Sequence, residues 1–359
     1  MALNAICPYF TMFPLDFPLR ILKRRARRGQ KVLDPFCGRG TTGFAARLLG
    51  LDSFSLDSSP IATAITSAKL AHTSPTEIIS EAEFILANYT PSEIPESEFW
   101  SLAYEPNVLK SLCCFRNAFL DDCQSDVRIA LRGIILGALH GPKQKTFPSY
   151  FSNQCPRTYA PKPDYSVRFW RERNLLPDAV NFLSIIERRA NRYYSSLPNV
   201  KGHVNLADSR TLESFYPSTN SGQFNWVITS PPYYGMRTYI PDQWLRNWFL
   251  GGIDYVDYSV KGQVLHSSPN AFVNDLRTVW QNVSKVCTDD AKMIIRFGGL
   301  ADRKTDPLNL IKSSIENSCW AYKMKQKAGS AYQGKRQADT FLIDSSNPIQ
   351  EYDIWLVRS

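Results

Sequence analysis

Residues 31 to 70 constrain the fold of this chain more than any other stretch. Lys31-Val-Leu33 reads as a short buried strand, Asp34 to Thr42 as a glycine-containing turn, and Thr42 to Leu49 as a helix ended by Gly50. Ser53-Phe-Ser-Leu56 is a second strand that stops at Asp57, and Pro60 sits in the first turn of a helix running to about Leu70. A βαβα unit of this kind implies a parallel sheet with helices on its faces. It also locates a site, because such sheets bind ligands at the carboxyl ends of their strands.

The αβ rhythm lapses from about residue 71 to 200, where the pattern predicts helices at Glu77 to Asn88, Asn107 to Leu120, Asp126 to Leu139 and Pro177 to Tyr194. It resumes with strands at His203 to Leu206 and Phe224 to Thr229, a helix near Ala271 to Val286, and the apolar strand Lys292 to Arg296, stopping at Gly298-Gly299. Extended pieces around Ala321 to Gln326, Asp339 to Ile343 and Ile349 to Val357 predict an antiparallel edge. The expected class is therefore α/β, a mostly parallel twisted sheet with an antiparallel edge hairpin and a largely helical insertion. Residues 1–70 and 201–359 would form the catalytic domain, and 71–200 the insertion. A chain of 359 residues exceeds what one core usually organises, in keeping with this division.

No apolar run approaches the roughly 20 residues needed to span a bilayer, so a membrane role is not expected. The start MALNAICPYF lacks the charged segment and long apolar stretch of a signal peptide, which points to the cytoplasm, with the nucleoid in a prokaryotic-type cell, and to reduced thiols. The eight cysteines include no CxxC pair, and Cys113-Cys114 are adjacent, a poor geometry for two ligands on one metal. No metal is expected. A formal charge of +9 suits a polyanionic partner, although charge alone selects none.

Chemistry concentrates at two strand ends. In Asp34-Pro-Phe-Cys-Gly38-Arg-Gly40-Thr41-Thr42, close glycines let the backbone approach a ligand and open a helix amino terminus. Asp57, at the end of the next strand, is placed to accept hydrogen bonds from ribose hydroxyls. Gly38, Gly40 and Gly43 also satisfy GxGxxG, which keeps a nicotinamide dinucleotide open at this point. The second motif, Thr229-Ser230-Pro231-Pro232-Tyr233, decides against it. Two consecutive prolines fix φ and remove two donors, leaving a rigid turn that presents carbonyls and an aromatic ring. Such a turn suits an exocyclic amine: Ser230 Oγ and the Pro231 carbonyl can accept its N–H groups while Tyr233 stacks on the base. A base inside a duplex would have to flip out to reach it.

With both motifs in hand, the chain resembles the amino-methylating DNA methyltransferases, which form N4-methylcytosine or N6-methyladenine. The similarity runs through short segments: Cys7 to Pro14 with the helix after it, the DPFCGRGTT turn, Asp57-Ser58-Ser-Pro60, Asn205 to Arg210, TSPPY, and Gly298-Gly299. It implies a Rossmann-like methyltransferase fold and S-adenosylmethionine as cofactor, held by Phe13, Asp34, Pro35, Phe36, Gly38, Gly40, Thr41, Thr42, Asp57, Ser58, Asp208 and Ser209. Ser230, Pro231, Pro232 and Tyr233 would be catalytic. Serine before Pro-Pro-Tyr is the form similar to N4-cytosine enzymes, whereas adenine enzymes more often carry DPPY or NPPY; N6-adenine stays open, as do a base amine of RNA and a catalytically silent DNA-binding regulator that keeps the cofactor pocket. The resemblance implies double-stranded DNA as partner, and a cognate restriction endonuclease if the enzyme is one half of a restriction-modification pair.

The insertion lies outside this similarity, and its stretch from 143 to 173 interleaves basic and aromatic residues. Asn153, Gln154, Arg157, Lys162 and Arg168 are candidate DNA contacts, with Arg237 in the loop after the catalytic turn. A second basic run, Arg20 to Lys31, holds seven cations and no acid; as the polar face of the first helix it has a plain reading as solvated surface.

Overall fold

The computed structural model describes residues 2–9, 13–142, 147–152, 162–216, 223–235, 243–257, 268–299, 305–328 and 351–359. The chain divides into two compact units. One comprises Met1–Pro8, Ser67–Leu197 and Tyr239–Val260, the other Tyr9–Thr66, Pro198–Thr238 and Lys261–Ser359.

The second unit is built on a sheet of seven strands: β1 (Lys31–Asp34), β2 (Asp52–Asp57), β3 (Gly202–Leu206), β4 (Phe224–Thr229), β5 (Cys287–Gly298), β6 (Trp320–Lys327) and β7 (Glu351–Arg358). Their spatial order is β3-β2-β1-β4-β5-β7-β6. The first five are parallel, and β7 runs antiparallel to both β5 and β6. This is a Rossmann-like methyltransferase fold, a mostly parallel sheet with an antiparallel edge pair. The order reverses between β1 and β4, so the switch point where such sheets take ligands lies at the ends of those two strands.

Apolar runs in the central strands follow from burial on both faces. Leu33, Val227, Met293, Ile295, Ile354 and Leu356 pack against α11 (Pro269–Val286) and α12 (Pro307–Ile315). Their neighbours Val32, Trp226, Ile228, Ile294 and Trp355 point to the other face, where α1 (Asp16–Arg25) and α2 (Thr41–Leu48) lie. Phe272, Leu276, Val279, Val283 and Val286 recur at helical spacing along α11 and form its buried stripe.

The helical unit holds α4 (Pro75–Asn88), α5 (Glu98–Ala103), α6 (Pro106–Asp121), α7 (Asp126–Ala138), α8 (Pro163–Glu172), α9 (Phe182–Tyr194) and α10 (Trp244–Phe249). The boundary between the units falls within α3 (Pro60–Leu70). Ser74 and Glu77 cap α4 reciprocally, each side chain bonding the other's backbone N–H. Aromatic rings fill the core: Trp100 packs on Trp248 with centroids 4.4 Å apart, and Phe99 on Trp244 at 4.9 Å.

Several expectations change. Met1–Pro8 and Tyr239–Val260 belong with the helices and not with the catalytic part. Ile6 sits under Gly133 and Gly137 of α7, where a Cβ on Gly137 would meet the Ile6 carbonyl oxygen at 1.9 Å, and Trp244 and Trp248 complete the aromatic core. Helix α9 starts at Phe182, later than Pro177, because Asn181 Oδ1 accepts the Ser184 N–H at 2.9 Å and caps it there. Helices α5, α8, α10 and α12 are additions, two of them only 6 residues long. The extended piece at 339–343 lies outside the described residues. Among the described residues no helix is long and apolar enough to cross a membrane.

Candidate functional site

The predicted motifs meet at the carboxyl ends of neighbouring strands, and hydrogen bonds tie them together. Asp34 ends β1 and is 1 % exposed. Its Oδ1 accepts the Phe36 N–H at 3.2 Å and the Thr229 hydroxyl at 2.7 Å, joining the glycine turn to the strand that delivers Ser230. The Gly38 N–H donates to Asp57 Oδ2 at 2.8 Å and the Ser59 N–H to Asp57 Oδ1 at 2.9 Å, so β2 and the glycine turn share one carboxylate. From β3, the Ala207 N–H donates to the Asp57 carbonyl at 3.0 Å, and the Ser209 hydroxyl donates to the Pro35 carbonyl.

The turn itself requires its glycines. Gly38 and Gly40 have φ of +50° and +72°, a region L side chains avoid, and a Cβ on Gly40 would stand 2.6 Å from the Thr66 side chain. The Thr66 hydroxyl donates to the Gly38 carbonyl at 3.1 Å and holds the loop from α3. Open space lies beside Gly38.

Burial governs the electrostatics. It raises the Asp34 carboxyl to about 6, against the lowering effect of the Thr229 and Thr42 hydroxyls and the Phe36 N–H. Burial also raises Asp57, while the Ser59 and Gly38 N–H groups pull it down. Asp34 Oδ2 is buried without a hydrogen-bond partner. A buried carboxylate oxygen of this kind suits a ligand that brings a positive charge or donors, and the neighbouring carboxylate of Asp57 suits one with hydroxyls. The donor set thus fits a sulfonium nucleoside.

Some predicted ligand residues do other work. The Thr42 hydroxyl donates to the Ile228 carbonyl at 3.0 Å and fastens α2 to β4. Asp208 is gripped by Arg210, with Nη2 2.6 Å from Oδ2, which holds its carboxyl below the usual range. Arg210 also reaches Asp275 at 3.0 Å. Phe36 meets Trp280 edge-on at 6.0 Å, and Phe13 meets Phe17 at 5.1 Å on the α1 side of the sheet. Thr41 is buried and Ser58 exposed.

In the Ser230–Tyr233 turn Pro231 is buried, while Ser230, Pro232 and Tyr233 are half-buried. The Tyr233 hydroxyl donates to Glu351 Oε1 at 2.9 Å, and its ring meets Phe297 edge-on at 5.1 Å. Burial first, then the Glu351 charge, raises this phenol well above its ordinary value, and the Ser230 hydroxyl acts in the opposite sense. Sequence reasoning missed Glu351, which stands in an antiparallel strand 118 positions away with no motif around it. Thr66 was missed too, since nothing in its helix announces that it faces the turn.

The basic and aromatic stretch fares differently. Asn153, Gln154, Arg157 and Arg237 lie outside the described residues. Lys162 precedes α8 and Arg168 lies on it, both exposed in the helical unit. Several neighbours are structural: Phe151 stacks on Phe182 at 3.9 Å, Trp170 packs on Phe99 at 5.6 Å, and Arg171 makes a two-point ion pair with Glu98.

Residues 4–67 match the family profile of the N6/N4 type described as DNA methylase. The match takes in α1, the glycine turn, β2 and most of α3, and it supports a methyltransferase with S-adenosylmethionine as cofactor. No curated protein matches the chain. Among solved structures, the chain is similar to an rRNA methyltransferase, aviRa, from Streptomyces viridochromogenes, at 12% identity and TM-score 0.38, over 99% of this chain and 92% of that one. It is similar to the magnesium protoporphyrin IX methyltransferase from Synechocystis PCC 6803, at 9% identity and TM-score 0.36, over 96% and 78% of the two chains. An S-adenosylmethionine-dependent methyltransferase from Methanosarcina mazei aligns at 7% identity and TM-score 0.38, over 97% and 99%.

Proposed function

We propose that this chain is a DNA methyltransferase that transfers a methyl group to the exocyclic N4 of cytosine in duplex DNA, after the target base has flipped out. The observation that supports this reading is the hydrogen bond from Thr229 to Asp34, which joins the Ser230–Tyr233 turn to the glycine turn at the switch point of the sheet. S-adenosylmethionine, when bound, supplies an electrophilic methyl group on a sulfonium centre. Asp34 would face its positive charge, Asp57 its ribose hydroxyls, and Gly38 and Gly40 would let the backbone approach it.

Ser230 Oγ and the Pro231 carbonyl accept the N–H groups of the base amine and direct its lone pair. Tyr233, fixed by Glu351 and Phe297, presents its ring to the base. No strong base would be needed before transfer: the C–N bond would form as the methyl–sulfonium bond breaks and a neutral thioether leaves, the amine proton then passing to solvent, so that these residues would contribute mainly alignment and electrostatic placement. Lys162 and Arg168, exposed in the helical unit, would contact DNA phosphates.

The second reading is N6 of adenine, favoured by a matching profile that spans both amine types. Expression of the protein in a host with unmodified DNA, followed by sequencing that separates N4-methylcytosine from N6-methyladenine, distinguishes the two. Ser230→Ala should lower transfer about 100-fold or more with cofactor affinity retained. Undiminished transfer in that variant, or methylation of RNA with none of DNA, would overturn the proposal.

A further inference from the structure

Helix α1 enters β1 through residues 26–30, so that connection lies at the amino end of the strand, whereas Asp34 and Ser230 lie at the carboxyl edge. β1 alone rises roughly 10 Å between the two ends. From residue 17 to 33 the chain contains no acid. Lys23, Arg24, Arg27 and Arg28 are all exposed, and none has a side-chain hydrogen bond, ion pair or ring contact among the described residues. Other arginines of the unit are engaged: Arg20 lies 3.8 Å from Asp16, Arg25 stands over the Trp355 ring at 4.9 Å, Arg47 bonds the Pro198 carbonyl, and Arg296 holds Asp353. Acids at the same edge of the sheet include Asp52, the register partner of Lys31, and Asp290, whose carboxylate accepts the hydroxyl of Thr288 next to Asn225.

The turn that carries Arg27 and Arg28 is fixed in place. Gln30 Oε1 accepts the Arg27 N–H at 2.9 Å and the Trp226 indole N–H at 2.8 Å, the Gln30 N–H donates to the Arg27 carbonyl at 3.1 Å, and Gly29 supplies a φ of +85°. A glutamine thus pins the turn to β4 while two guanidinium groups face solvent. Cations in the last turn of a helix oppose its dipole, which accounts for Lys23, Arg24 and Arg25 but not for Arg27 and Arg28 beyond it. The backbone of that turn is already ordered, so meeting a polyanion orders only the side chains.

We propose that this cluster is a docking surface for the phosphate backbone of double-stranded DNA, at the edge of the sheet opposite the catalytic turn. It takes its choice of polyanion from the functional reading above. It reads no bases; it holds phosphates remote from the target nucleotide by releasing their counterions.

The test compares the full chain with Lys23→Gln/Arg24→Gln/Arg27→Gln/Arg28→Gln, and with a control that removes the same charge from exposed lysines away from that edge, Lys110→Gln/Lys312→Gln/Lys323→Gln/Lys325→Gln. Affinity for a duplex of about 30 base pairs and arbitrary sequence is measured from about 50 to 300 mM salt. The cluster variant should lose at least about tenfold in affinity at the lowest salt, and its slope of log K against log salt should flatten by about 2 to 4, near 0.9 for each phosphate contact removed. The control should change less than about threefold. Equal losses in both variants, an unchanged slope, or a loss confined to single-stranded RNA of the same length would overturn the proposal. Methyl transfer is read separately: if the unaltered protein modifies no DNA, the proposed reaction fails while the salt slope still decides this surface.

Discussion

Charged side chains do different work at the strand ends of the α/β unit and in the helical unit. At the strand ends of the first, carboxylates accept hydrogen bonds from the next motif along, and one oxygen of Asp34 is buried without a hydrogen-bond partner. In the second, arginines close off main-chain carbonyls: Arg116 bonds that of Trp248 at 2.8 Å, Arg189 that of Ser149 at 2.7 Å, and Arg246 that of Leu136 at 3.2 Å. Aromatic rings there fill the interior. A stretch rich in cations and rings is therefore ambiguous until each side chain is placed, whereas an acid at the end of a parallel strand already has its direction.

Three changes sharpen this contrast. The largest is Trp170→Ala. The ring is 1 % exposed and packs on Phe99, so its loss should cost about 3–5 kcal/mol in denaturant unfolding, with the salt dependence of DNA binding unaltered. A cost below about 1 kcal/mol would return Trp170 to the surface and reopen a DNA-stacking role.

Next comes Asp34→Asn. A folded carboxyl raised to about 6 from 3.8 takes up protons between those values, so its contribution to stability falls as pH rises through that window and stays low above it. The whole effect is about 3 kcal/mol. Asparagine keeps the acceptor used by Phe36 and Thr229 but places an amide NH2 where no partner stands. The variant should therefore gain about 1–2 kcal/mol at pH 8, lose the pH dependence between about 4 and 6, and bind S-adenosylmethionine poorly. In the unaltered protein, cofactor affinity measured by calorimetry should weaken as pH drops below about 6. Tight binding by the variant would remove Asp34 from the cofactor site.

The smallest effect belongs to Glu351. Glu351→Leu frees the Tyr233 hydroxyl and should lower kcat about tenfold with little change in cofactor KM, a loss of about 1–2 kcal/mol, whereas Glu351→Gln, which retains an acceptor, should recover most of it. Equal rates for both variants would make the contact incidental to transfer.

Much of the α/β unit was legible in the sequence because its determinants are local. Val32-Leu33, Gly38, Gly40 and Asp57 each declare strand, turn or strand end within a few residues, and the Pro-Pro pair fixes its own backbone. What could not be read was pairing over long sequence distance. Glu351 reaches Tyr233 through the register of β7 beside β5, and Ile6 reaches α7 through two glycines whose only local meaning is a weak helix. The short helices α5 and α10 escaped because six residues carry too little periodicity, and their apolar residues are explained by a core assembled from three chain segments.

The place of β7 has a consequence for how the protein is made. It follows every other strand in sequence yet lies between β5 and β6, so a chain emerging from the ribosome must leave a slot in the growing sheet. Until Glu351 to Arg358 fill that slot, β5 and β6 each expose an unpaired edge, and Tyr233 lacks its acceptor. A nascent chain would then be exposed to strand-pairing errors over that interval and would fix the Ser230–Tyr233 turn only once β7 is in place.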